Sequence, residues 1–238
     1  MKQSQFYYLL RRGLFSAGSA IIKNGLVMFN KFTTAGLNFP AQGSAEFDGA
    51  SDYIDTGADL ISTNHTFAAW VYANDDANTK IIFDNRSASG AQDGILVRMN
   101  SDENIVSTCG TNDFSTSDTF TEEWVYVVAS YDGTTQKLYT NGSLNQSATT
   151  SQTLTSTANA IIGGRSFNTS LFWNGNLANV AIWNRALSSD EINSVMWKSY
   201  EALSGAESNG LQAWYSLDDI SGSSVPDSSG NGNNGTAY

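Results

Sequence analysis

The apolar positions of this chain fall in short runs of strand length. HTFAAWVYAND (65–75) alternates, with Phe67, Ala69 and Val71 on one side and Trp70 and Tyr72 on the other, the two-residue period of a β-strand. KIIFDNR (80–86), GILVRMN (94–100) and AIIGGR (160–165) read as further strands, the first two separated by a polar loop. Residues 123–149 predict three strands joined at Asp132-Gly133 and Asn141-Gly142, dipeptides that accept the positive φ of tight hairpin turns. Positions 177–183 are apolar at nearly every residue, which predicts a strand covered on both faces. A helix follows near 188–203. Ser188 is its expected cap, Glu191 closes a capping box, Leu187 is placed as a staple, and Ile192, Val195 and Met196 give it one apolar face.

Composition agrees with many short strands. Of 238 residues 40% are hydrophobic and only 15% charged, with 21 Gly and 2 Pro, enough for one large β-domain with its own core plus an appendage. No apolar run is long enough to span a bilayer. Charge changes the picture at the front. Residues 1–45 hold Lys2, Arg11, Arg12, Lys23 and Lys31 without an acid, whereas the remainder carries all 23 acids and a balance of −16. An acidic body of that kind predicts no nucleic-acid and no membrane partner. Arg11 and Arg12 break the apolar stretch that a secretory signal needs, so residues 1–40 are expected to be a basic, apolar arm rather than a cleaved leader. Tyr7, Leu10 and Leu14 share a helical face, Phe15 extends it, and Leu26 to Phe29 suit a short strand. Such an arm docks either on its own body or on other structural subunits, a homo-oligomer included.

Several stretches also carry a resemblance. SAEFDGASDYIDTG (44–57), the hairpins WVYVVASYDGTTQKLYTNG, and LANVAIWNRALS followed by DEI resemble LamG-like jelly-roll domains of the concanavalin A-like lectin/glucanase superfamily. The resemblance implies an all-β fold, a two-sheet antiparallel jelly-roll sandwich over residues 41–238. SGAESNG (204–210) reads as a linker. The last segment, LQAWYSLDDISGSSVPDSSGNGNNGTAY (211–238), is similar to the stretch that opens such domains. Its place at the end implies a circular permutation, with the segment closing either its own sandwich or a neighbour's.

The superfamily holds lectins, adhesion modules, hydrolases and virion proteins alike, so function must come from sites. Its hydrolases carry acids alternating on one strand, so that two carboxylates flank a glycosidic bond. Here Glu122-Glu123, Asp190-Glu191 and Asp218-Asp219 are adjacent pairs, which predicts that the chain is not an enzyme. The one histidine, His65, reads as a surface residue at a strand start, and the one cysteine, Cys109, as a small half-buried residue that excludes an intrachain disulfide. The resemblance implies calcium as a structural cofactor. Asp227, Asn231 and Asn233 in a glycine-rich loop are the candidate ligands, with an ordinary turn as the alternative, and Asn179 stands where relatives often have an acid. It also implies glycan contacts, for which Trp173, Tyr72, Phe167 and Asn168 are the candidates, while Trp70, Trp124 and Trp183 read as core. Three functions compete, and the third, a glycoside hydrolase, is disfavoured by the missing acidic strand. One is a virion structural protein, a phage capsid decoration or tail component anchored by Tyr7, Leu10, Arg11, Arg12, Leu14 and Phe15. The alternative is a carbohydrate-binding or adhesion module at a bacterial surface or outside the cell.

Overall fold

The apolar run at 177–183 forms the C-terminal part of a ten-residue strand, Asn174–Trp183, that has strands on both edges and a packed layer on each face. The computed structural model describes residues 43–74, 78–167 and 171–238, and earlier in the chain only two paired backbone segments, β1 (Ile22–Lys23) and β2 (Leu26–Val27). The first sheet runs β12 (Ser143–Thr149), β11 (Thr135–Thr140), β10 (Trp124–Tyr131), β5 (His65–Ala73), β14 (Asn174–Trp183). Two strands share the far edge of β14, β3 (Ala45–Asp48) and β15 (Leu211–Tyr215). The second sheet runs β16 (Ser224–Val225), β17 (Gly235–Ala237), β4 (Ile54–Asp55), β13 (Ile161–Ile162), β6 (Lys80–Asp84), β7 (Ile95–Met99), β8 (Asn104–Cys109), β9 (Asn112–Thr119). Strands β8 and β9 form in a largely polar stretch for which no strand was expected.

Alternation explains why two cores form. Along β5, Phe67, Ala69, Val71 and Ala73 face the second sheet, while Ala68 and Trp70 face the helical segment. Strand β14 does the same, with one interruption. Leu177, Val180 and Ile182 enter the core between the sheets, and Ala178, Ala181 and Trp183 enter the outer core. That phase needs one extra residue, and Asn179 is it. Ala178 opposes Trp70 and Ala181 opposes Ala68, so three steps on β14 match two on β5. Asn179 is a β-bulge with φ of 47°.

The helix starts as expected and ends sooner. Helix α1 covers Ser189–Val195, with the Ser188 hydroxyl accepting from the Glu191 N–H and the Glu191 carboxylate accepting from the Ser188 N–H. Arg185 grips the same carboxylate with two bonds of 3.1 and 2.7 Å, which holds Glu191 down at about 2. Leu187 and Ile192 share the outer core, as a staple does. At its end the Met196 carbonyl accepts the indole N–H of Trp70 at 3.1 Å, which satisfies one of the carbonyls a helix leaves open. A 3-10 turn at Tyr200–Ala202 follows. Residues 204–210 are more than a linker, since Gly205–Ser208 forms a single helical turn, α2, under a second capping box between Ser204 and Glu207.

The tail closes its own sandwich. Strand β15 extends the first sheet, whereas β16 and β17 join the second. Tyr238 stacks on Tyr53 at 4.9 Å, and the two exchange backbone hydrogen bonds. Ala45 pairs with Leu177 and Tyr215 with Val180, so β15 and β3 lie end to end along β14, the placement that the permuted order requires.

Candidate functional site

The bulge creates the candidate site. Between Leu177, the last partner of β3, and Val180, the first partner of β15, the edge of β14 has a gap. Around it lies a cleft of 260 Å³, lined by Asn179, Ser199, Tyr200, Glu201, Trp214, Ser216, Asp218, Asp219 and Ser228. Asn179 is only 3% exposed, and neither polar atom of its side-chain amide has a partner. Its backbone N–H donates to the Ser216 carbonyl at 3.1 Å, which pins the bulge but leaves the amide unpaired. A buried unpaired amide costs roughly 1–3 kcal/mol. Leu217, just past β15, also holds a positive φ of 64°. Two non-glycine residues in the left-handed region beside one cleft mark strain that the surroundings impose.

The rest of the wall is tied in place. Tyr200 donates its hydroxyl to the Ser229 carbonyl at 3.2 Å, the Ser228 N–H donates to the Trp214 carbonyl at 2.9 Å, and the Ser216 hydroxyl donates to Asp219 at 3.1 Å. The cleft therefore presents an amide, three serine hydroxyls and three carboxylates on a braced frame. None of these residues except Asn179 was singled out by the sequence for its place in the fold, because they meet only when the tail folds back.

The four expected glycan contacts do not converge. Trp173 is a correction. It is fully buried in the core between the sheets, because its N–H donates to the Gly163 carbonyl and its carbonyl accepts from Gly49, turning the ring inward. Tyr72 is half-buried on the helical side with its ring 5.8 Å from Trp124. Phe167 is half-buried on the other sheet's side, between the guanidinium groups of Arg86 and Arg165. Asn168 lies outside the described residues, as do Tyr7, Leu10, Arg11, Arg12, Leu14 and Phe15.

The glycine-rich loop is a brace, and its residues do not fit a calcium ion. Asp227 accepts from the N–H groups of Trp214, Ser229 and Asn233 and from the Ser229 hydroxyl, at 2.8–3.1 Å. Asn231 and Asn233 turn their NH2 groups, not their oxygens, to the Leu211 and Gln212 carbonyls. A cation at Asp227 would have to displace N–H donors that anchor β15. Among the described residues no three His, Cys, Asp or Glu side chains gather as a metal site. Asp227→Asn should cost roughly 2 kcal/mol, since one oxygen becomes a donor facing donors, while EDTA should leave the melting temperature of the unaltered chain unchanged. Differential scanning fluorimetry checks both, and an EDTA-sensitive melt would contradict the assignment.

The two side chains most suited to nucleophile or base chemistry are buried elsewhere, and both expectations for them need correcting. His65 is 2% exposed rather than at the surface, and burial pushes it down to about 4. Its Nδ1 lies 3.1 and 3.2 Å from the carbonyls of Ser62 and Thr63, so that nitrogen carries the proton. Cys109 is fully buried, and its thiol is pushed up to about 12, which removes the reactive thiolate.

A family model described as the concanavalin A-like lectin/glucanases superfamily, Laminin_G_3, matches residues 48–193. The chain belongs to this family. No curated protein sequence matches it. Among solved structures, this lectin/glucanase-type domain is similar to a candidate carbohydrate binding protein from Bacteroides ovatus, with TM-score 0.66 and 17% identity over 82% of this chain. The match spans 57% of that protein's length. A native heptameric SAP-like pentraxin from Limulus polyphemus gives TM-score 0.54 and 16% identity over 81% of this chain and 91% of the pentraxin. The CBM40 of Ruminococcus gnavus IT-sialidase, in its structure with alpha2,3 sialyllactose, gives TM-score 0.52 and 14% identity, covering 65% of this chain and 98% of that one. At these identities the likeness is one of fold.

Proposed function

We propose that this chain is a non-catalytic carbohydrate-binding domain whose sugar occupies the cleft beside Asn179. The observation that carries the reading is the buried amide of Asn179, unpaired at both atoms in the wall of a polar cleft. An amide offers one donor group and one acceptor side by side, which is what two neighbouring sugar hydroxyls require. The serine hydroxyls and carboxylates of the wall extend that pattern. At 260 Å³ the cleft falls just below the roughly 300–1,000 Å³ of drug-sized pockets, a size suited to one sugar ring. Solved neighbours named for carbohydrate binding support the ligand class. The non-catalytic part rests on the missing strand of alternating acids, since Glu201 comes from the 3-10 turn and Asp218 and Asp219 are adjacent residues past β15. This reverses the order in which the sequence ranked its first two readings. The arm residues that favoured virion assembly lie outside the described residues, whereas the cleft and the neighbours named for carbohydrate binding support the glycan reading.

The test is a glycan array followed by calorimetry with Asn179→Gly. Glycine removes the amide and accepts the positive φ of 47° at that position. The variant should melt no lower than the parent and bind its glycan at least tenfold more weakly. A parent that binds no glycan, or a variant that binds as well as the parent, would overturn the proposal.

A further inference from the structure

Three arginines meet on the second sheet of a body otherwise rich in acid. Arg86 follows β6, Arg98 lies in β7, and Arg165 follows β13, on strands that pair in the order β13-β6-β7. Two of them are fully engaged. Asp84, itself completely buried, accepts from the backbone N–H, Nε and Nη2 of Arg86 at 3.1, 2.9 and 3.2 Å. Arg98 donates to Thr108 at 3.0 Å and to Asp113 at 3.1 Å. Arg165 differs. It makes no hydrogen bond or ion pair among the described residues, and its Nε is buried without a partner. Its guanidinium lies 5.3 Å from the centroid of Phe167, and that of Arg86 lies 5.9 Å from the same ring. The Ser166 hydroxyl donates to the Arg86 carbonyl, which locks the two segments together.

This arrangement is costly as it stands. A guanidinium cannot shed its charge, and burial and the repulsion of Arg86 together outweigh the attraction of Asp84, acting against the charged form of Arg165. The three arginines outnumber the two acids that bind them, Asp84 and Asp113, and the hydrogen bonds of Asp84 go to Arg86 rather than to Arg165. What completes the site is an anion with two oxygens in one plane, because a carboxylate matches the guanidinium fork.

We propose that Arg165, backed by Arg86 and Phe167, is a subsite for the carboxylate of an acidic sugar, a uronic or sialic acid unit of a longer glycan. The inference rests on the carbohydrate-binding reading, yet it uses residues on the opposite sheet from the Asn179 cleft. Uronates and sialates share the recognised group, and separate probes tell them apart. The experiment titrates the full chain, isotopically labelled, with methyl β-D-glucuronide, with the methyl glycoside of N-acetylneuraminic acid, and with neutral methyl β-D-glucoside. At least one acidic probe should bind tenfold or more tightly than the glucoside and should weaken as salt rises. Arg165→Gln should remove that preference and leave neutral binding unchanged, and Arg165→Lys, which keeps the charge without the fork, should restore only part of it. Equal binding of acidic and neutral sugars, or a preference that survives Arg165→Gln, overturns the subsite. In either of those cases binding of array glycans at the Asn179 cleft shows that the wider reading still stands, and its absence shows that both have failed.

Discussion

Trp183→Ala should lower the free energy of unfolding by about 4 kcal/mol, in the range of roughly 3–5 typical for emptying a buried aromatic site. The ring is fully buried and meets Trp214 edge-on at 6.2 Å. Its indole N–H donates to the Glu207 carbonyl at 2.7 Å, so it joins the central strand, the tail strand and helix α2. Alanine would leave a cavity between the first sheet and the helical layer, and it would strand a carbonyl as well. Urea denaturation gives the measurement, read as a fall in midpoint at constant slope. Leu144→Ala, at a side chain that is 53% exposed, is the control and should change little. A Trp183→Ala loss near that of the control would mean that the outer core contributes little to stability.

Acid should destabilise the fold before its carboxylates begin to titrate, and a single group causes it. His65 has a folded value of about 4 against 6.5 for the free side chain. The unfolded chain therefore binds the extra proton between those values, and stability falls as pH drops through that window. The full difference corresponds to about 3 kcal/mol, of which about 2 is already lost between pH 6.5 and 5. Asp and Glu remain charged over most of that upper range, and the chain has no other histidine. His65→Gln should flatten the dependence of stability on pH from 6.5 to 5 while keeping the lower-pH decline. That decline reports carboxylates such as Glu191, whose bonds from Arg185 hold it at about 2, and its contribution is lost as pH falls from the ordinary carboxylate range toward that value. A flat profile in the unaltered chain would contradict the burial of His65.

The fold was largely legible because its central elements obey short-range rules. Asn141-Gly142 forms the expected hairpin turn, with φ of 50° and 77°. Asp132 works differently from Asn141, since its carboxylate accepts from the Thr134 and Thr135 N–H groups and only Gly133 turns to positive φ. The capping box at Ser188 needs only four residues to recognise, and the same four-residue signal was present at Ser204 and Glu207 inside the supposed linker. Strands β8 and β9 were harder to see. Ile105, Cys109 and Phe114 supply their inward positions, while serine, threonine and asparagine dilute the alternation.

The candidate site was much less legible, for reasons of topology. An apolar run covered on both faces hides its own phase, so Asn179 stood out at 177–183 as a polar residue without showing that it is a bulge. Trp173 stands between an apolar pair, Leu171 and Phe172, and a polar stretch, and it is drawn inward by backbone bonds to Gly49 and Gly163. His65 follows a polar residue, yet it is covered because Tyr131 opposes it across β10 with the rings 6.1 Å apart. Asp227 has the composition of a cation loop and the bonding of a brace, since it ties the N–H of Trp214 on β15 to those of Ser229 and Asn233 in its own loop. Arg86 and Arg165 are far apart in the chain and meet only through the pairing of β6 with β13.

The central claim is that a sugar completes the unpaired amide of Asn179. The most direct measurement is a two-dimensional NMR titration of the labelled full chain with the strongest glycan from the array. Binding at the cleft should shift the side-chain NH2 signal of Asn179 together with the backbone signals of Ser216, Asp218 and Ser228, and Asn179→Gly should abolish those shifts. A glycan that binds while all of these signals stay still would contradict the account.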